Sequence, residues 1–166
     1  MITHLEAFKD ELEREAIGTR KMLALVPTGK MDWAPHEKSM KMKALATHIA
    51  DLPTWISLGL TTDELDFNTA PYNPADCKNG KELVDYFNKN VDIALKDLKE
   101  AKEDILEEDW TLRAGETIYA KHSKLVTVRH AYAQMTHHRA QLGVYLRLLN
   151  IPIPGVYGPS ADEQQI

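Results

Sequence analysis

The most constraining stretch of this chain runs from Ser123 to Tyr157, where Val128, Ala131, Met135, His138, Leu142, Tyr145 and Leu149 recur at spacings of three and four. Only a helix brings such positions onto one buried face, so the spacing predicts a long helix from about 124 to 149. Asn150 and Pro152 stop it, and a Pro-rich tail, IPIPGVYGPSADE, follows. The helix is not simply apolar. His138 falls within the seam, and His130, Gln134, His137 and Gln141 form a polar stripe beside it. A buried polar stripe has to be hydrogen-bonded or coordinated, because each unpaired group costs about 1–3 kcal/mol.

Three further helices follow from the same periodicity. Residues 3 to 25 carry Leu5, Phe8, Leu12, Thr19, Met22, Leu23 and Val26 inward, and Pro27 and Gly29 end the run. Residues 27 to 39 make a connection in which Trp33 plugs one end of the core and Ser39 N-caps the next helix. The second helix, 40 to 60, buries Met42, Leu45, Ile49, Leu52 and Ile56, with His48 at the edge of that face. Pro53 removes a backbone donor and kinks it one turn beyond His48. Residues 61 to 79 are a polar loop, and Asn79-Gly80 leads into a third helix over 81 to 105. Its inward residues are Leu83, Phe87, Val91, Ala94, Leu95, Leu98 and Ile105. Residues 107 to 122 read as an irregular link with a short extended pair. The expectation is all-α: one four-helix-bundle domain spanning 1–166.

Composition excludes several classes of function. A net charge of −5 with no long basic block disfavours nucleic acid as the main partner. Cys77 is the single cysteine, so no intrachain disulfide or thiol cluster forms. No apolar run approaches the roughly 18 residues of a membrane span, and the amphipathic, acidic N-terminus is unlike a secretory signal. A cytoplasmic protein is expected.

The histidines point to metal chemistry. Two imidazoles at i, i+4 on one helix, with a third from a facing helix, make a three-nitrogen site that leaves a position open for water or substrate. His138 and, across from it, His48 face inward. His4, His36 and His122 lie near helix ends or in connections and read as surface residues. The structural alternative is a core His138 donating to a carbonyl, with Arg139 paired to an acidic residue of a neighbouring helix.

The run MTHHRAQLGVYLRLLNIPIPGVYGPSADE, together with DWAPHEKSMKMKALATHIADLPTW, resembles the fourth and second helices of the DinB-like (DinB/YfiT) superfamily of four-helix bundles. That resemblance implies a divalent metal, zinc or nickel, held by one histidine of the second helix and two of the fourth at i, i+4. Carried onto this chain, the ligands are His48, Gln134 and His138, and position 134 is an amide where the family pattern has an imidazole. An amide oxygen is the weaker ligand for such ions. His130 could replace it only by moving the ion about 6 Å along the helix, and His137 points roughly 100° away from His138. The implied activity is metal-dependent transfer or hydrolysis with a small-molecule thiol and an electrophile, in a homodimer to which Tyr157 contributes. Many members of the family are known only as damage-inducible. The alternative is a non-catalytic module that binds a small ligand or a second copy.

Overall fold

The computed structural model describes residues 2–163. Its helices are α1 (His4–Ala24), α2 (Met42–Asp51), α3 (Pro53–Thr61), α4 (Gly80–Glu100) and α5 (Lys124–Leu148), with short 3-10 turns at Thr28–Lys30 and Glu103–Glu107. Three strands accompany them: β1 (Glu64–Asp66), β2 (Asp109–Ala114) and β3 (Thr117–Ser123). The helical bundle expected from the sequence is therefore present, but the fold is not all-α.

Each helix begins where its chemistry allows. Thr3 accepts from the Glu6 N–H while the Glu6 carboxylate accepts from the Thr3 N–H, a reciprocal cap for α1. Asn79 caps α4 by accepting from the Glu82 N–H and Ser123 caps α5 by accepting from the Val126 N–H, each a one-way cap. Ser39 does not cap the second helix. Its N–H closes a turn onto His36, and α2 starts from Lys41 with no side-chain cap. The second helix of the sequence reading is two: Pro53 supplies no N–H, and the run divides at Leu52 into α2 and α3, with Pro53 in the first turn of α3. Together they act as one bundle member, packing on α4 and α5 while α1 packs on the same two helices.

Leu12, Leu23, Leu45, Ile49, Ile56, Phe87, Met135 and Leu142 form the innermost part of the core, and the expected periodic positions fill it. Trp33 packs edge-on against Tyr145 with ring centroids 5.6 Å apart, closing one end of the bundle as expected.

The extended pair expected within 107–122 is present as the hairpin β2–β3, whereas the loop expected over 61–79 is corrected, because it contains the strand β1. β2 and β3 pair antiparallel around Gly115, whose φ of 59° at the first position of a two-residue turn suits the twist of the strands. β1 adds in parallel to β2, and Asp66 ties the two together by accepting from the N–H groups of Asn68 and Gly115 and from Arg113. On the hairpin, Trp110, Leu112, Ala120 and His122 share one face, and that face turns toward α3 and α5.

The tail after α5 folds back. Asn150, with φ of 58°, terminates the helix in the left-handed region, and Ile151 N–H reaches Leu146 O. The tail's anchor is Arg139, only 3 % exposed, which pairs with Glu15 at 2.5 Å and donates to Thr19 Oγ1 and the Tyr157 hydroxyl. The structural alternative considered for Arg139 is thus realised, with Glu15 of α1 as its partner. Arg139→Ala strands a carboxylate in a nearly closed site and should cost about 3 kcal/mol in chemical denaturation. Arg139→Met combined with Glu15→Leu should recover most of that loss, because a packed apolar pair needs no charge compensation.

Candidate functional site

α2 and α5 bring their inward imidazoles together. The rings of His48 and His138 lie 4.6 Å apart, centre to centre, nearly perpendicular. His138 Nε2 is 2.9 Å from Gln134 Oε1, one turn earlier on α5, and Nδ1 is 2.8 Å from Gln141 Oε1, three residues later. The three residues expected to be ligands are therefore adjacent, and the polar stripe of α5 is satisfied largely by its own side chains. His137 is exposed, its ring 4.9 Å from that of His138, and it flanks the cluster as expected. His130 is exposed and stands one turn before Gln134.

A neutral imidazole has one donor nitrogen and one acceptor nitrogen, so His138 cannot donate to both amide oxygens. With the proton on Nδ1, donated to Gln141, the bare Nε2 faces Gln134 Oε1 lone pair to lone pair. That pairing calls for a proton or a cation, or for Gln134 to turn its NH2 inward. Neighbouring ligands of an ion at about 2.1 Å stand roughly 3 Å apart, close to the separation of these two atoms. Two imidazoles and one amide oxygen are donor types that a divalent ion takes, the amide being the weaker. Among the described residues no group of three His, Cys, Asp or Glu side chains is placed to hold a metal, and the residue beside the two imidazoles is Gln134.

Burial keeps both rings neutral. His48 is pushed down to about 4, first by desolvation and then by the neighbouring His138. His138 is lowered by burial and by His137, against its hydrogen bond to Gln141 Oε1. Neutral imidazole is the form that can accept a metal or a proton.

Two clefts flank His48. The larger, of ≈ 630 Å³, lies between α2, α5 and the 72–76 segment and is lined by His48 and His138 together with Lys41, Lys43, Asp32 and Asp76. Lys43 pairs with Asp76 and Lys41 with Asp32, so its rim carries both signs of charge. Thr47, 4 % exposed, lines this cleft, and its hydroxyl has no hydrogen-bond partner among the described residues. Tyr72 completes the wall. Its hydroxyl is pushed up to about 12 by burial and by the charge of Asp51. Asp51 is itself buried, raised by desolvation, and accepts from the Tyr86 hydroxyl at 2.5 Å. The smaller cleft, of ≈ 260 Å³, lies under the sheet. It shares His48 with the first and is lined also by Gln134, His130 and His122. His122, read from the sequence as a surface residue, is exposed but belongs to this wall.

Thr47, Asp51 and Tyr72 were not singled out by sequence reasoning. Thr47 and Asp51 stand at i and i+4 on α2 beside His48, a signal that was available. Tyr72 lies in an irregular loop with no such signal.

The family model described as the DinB family matches residues 1–166. Among solved structures, the chain is similar to a DinB-like protein from Bacillus subtilis at 14% identity, covering 90% of this chain and 97% of that one, with a TM-score of 0.71. A DinB-like protein from Bacillus cereus aligns at 19% identity over 92% of this chain and 97% of that one, with a TM-score of 0.69. A mycothiol-dependent maleylpyruvate isomerase aligns at 14% identity over 86% of this chain and 64% of its own, with a TM-score of 0.55. These likenesses are of fold. No curated protein matches the chain.

The depressed His48 gives the site a pH signature. The unfolded chain takes up that proton near 6.5 and the folded one near 4, so the contribution of neutral His48 to stability is present above about 6.5 and lost as pH falls toward about 4. His138, lowered as well, acts in the same direction. Nitrogen-detected NMR should find the His48 ring neutral down to about pH 4. A midpoint near 6.5 would contradict its burial against His138.

Proposed function

The chain belongs to the DinB family, and from that premise we propose that it is a metal-dependent enzyme of thiol transfer or hydrolysis whose ion is held by His48, Gln134 and His138. The observation that carries this reading is the meeting of His48, His138 Nε2 and Gln134 Oε1 beside two clefts. The thiol-dependent isomerase of similar fold supports the choice of chemistry.

A divalent ion here would act as a Lewis acid and favour the thiolate form of a small-molecule thiol. The chain's own residues account for the rest. Gln141 holds Nδ1 of His138 and thereby aims Nε2 at the site. The Thr47 hydroxyl, the two Lys–Asp pairs and Tyr72 offer a polar substrate hydrogen bonds of both polarities. Asp51, raised by burial, is positioned on the same face of α2 as Thr47 and can accept a proton. Desolvation around His48 excludes water and keeps the ring uncharged at neutral pH.

Gln134 favours a second reading, a non-catalytic module that binds a small ligand, because the third donor is the weak one. Metal analysis on protein purified without a histidine tag separates the two. We expect zinc or nickel near one per chain, lost in His138→Ala, and tightened in Gln134→His on the order of 10- to 100-fold. Absence of uptake by the parent at micromolar zinc, nickel and manganese, with strong uptake by Gln134→His, would favour the second reading.

A homodimer in the cytoplasm belongs to the same proposal. Val144 and Leu148 are both more than half exposed and stack at i, i+4 on the outer face of α5, supporting pairing through that helix. Tyr157, although 72 % exposed, spends its hydroxyl on Arg139 and Glu15 within its own chain. Sedimentation should find a dimer that Val144→Asp with Leu148→Asp converts to a folded monomer. Among the described residues no helix is long and apolar enough to cross a membrane.

A further inference from the structure

The two clefts that share His48 differ in charge. The larger is rimmed by two lysines and two aspartates, whereas no Asp, Glu, Lys or Arg lines the smaller. The walls of the smaller are Leu52 and Trp55 from the second bundle member, Trp110, Leu112 and Ala120 from the hairpin, and Ala131 from α5. Its polar groups are Gln134, Thr127 and the histidines His48, His122 and His130. The Thr127 hydroxyl is already spent on Ser123 O, which leaves the imidazoles and Gln134 to meet a ligand.

The two indoles are set as a platform. Trp55 and Trp110 stand 6.4 Å apart at 59°, and Trp110 is fixed by its Nε1 donating to Thr62 Oγ1 at 3.1 Å. Committing that N–H to Thr62 leaves the apolar body of Trp110, in a ring that is 3 % exposed, for the cleft. At ≈ 260 Å³ the space lies below the roughly 300–1,000 Å³ of drug-sized pockets, so it suits one or two fused rings rather than a peptide.

We propose that this cleft, between the sheet and α3 and α5, is a binding subsite for a small, flat, uncharged aromatic molecule, oriented with a hydrogen-bonding edge toward Gln134 and His48. The sheet builds it: the same period-2 face that carries Trp110 and Leu112 on β2 carries Ala120 and His122 on β3, and Ala120 leaves the volume a larger residue would fill. A charged ligand would bury its charge without a counter-ion, and so is selected against. As the seat of a second substrate beside the polar cleft, the subsite rests on the function proposed above. Its capacity to bind does not.

The test uses metal-free full-length protein and 2-naphthol, with 2-naphthalenesulfonate as the charged counterpart, read by the indole N–H resonances of the three tryptophans. We expect saturable shifts of Trp55 and Trp110 with 2-naphthol and none of Trp33, which packs on Tyr145 at an end of the bundle. The sulfonate should bind about tenfold more weakly or less. Ala120→Phe, placed on a strand that accepts an aromatic residue, should abolish the shifts with the circular dichroism unchanged. His138→Ala should keep them, since His138 lines only the other cleft. Equal response of all three tryptophans, equal affinity for the sulfonate, or undiminished binding by folded Ala120→Phe would each overturn the subsite. None of these outcomes depends on whether a metal binds, so failure here is distinct from failure of the metal centre.

Discussion

The burial of α5 is the constraint on which the rest depends. Val128, Ala131, Tyr132, Met135, Leu142 and Leu146 are withdrawn from water along its length, and α1, α2, α3 and the sheet all pack against it. A helix surrounded this way cannot leave polar groups of its inner face idle. Arg139 finds Glu15 and Thr19 on α1, and the Tyr132 hydroxyl donates to Phe8 O. His138 finds Gln134 and Gln141 on its own helix. Only the last arrangement has more lone pairs than protons to share, and it borders the cleft beside His48.

The break at Pro53 and the hairpin determine what that cleft region becomes. An uninterrupted second helix would present His48 and Trp55 on one continuous surface. With the ladder interrupted at Leu52, α3 continues as a separate segment whose residues meet the sheet, and Trp55 lies against Trp110. His48 consequently stands between a zwitterionic cleft and an uncharged one. Neutral at physiological pH through desolvation, it can face both without a charge of its own.

Much of the candidate site was legible from residue spacing. The i, i+4 relation of Gln134 and His138 and the inward phase of His48 follow from helical geometry, and the resemblance to a known family named the same three positions. The glutamine at 134, visible in the sequence, is the feature that departs from the family pattern. Less was legible where the chain leaves helices. Ser39 looked like a cap, yet backbone turns through His36 and Trp33 lead into α2 instead. His122 looked like a surface residue because its neighbours show no clear period, and only pairing with Trp110 across the hairpin turns it to the cleft wall.

The sequence by itself determined the helices, their buried faces and the histidines that meet, because the periodicity of a helix is local and each turn repeats the same evidence. Tertiary structure alone decided the third strand of the sheet, which joins residues 64–66 to the 109–123 pair across the whole of α4. Such pairing depends on hydrogen bonds between distant segments, and a three-residue strand carries too little pattern to announce its partner. The same holds for the clefts and the buried groups around them. Thr47 without a partner among the described residues, Asp51 raised by burial and Trp110 pinned by Thr62 are properties of surroundings supplied by other elements, and no local pattern contains them.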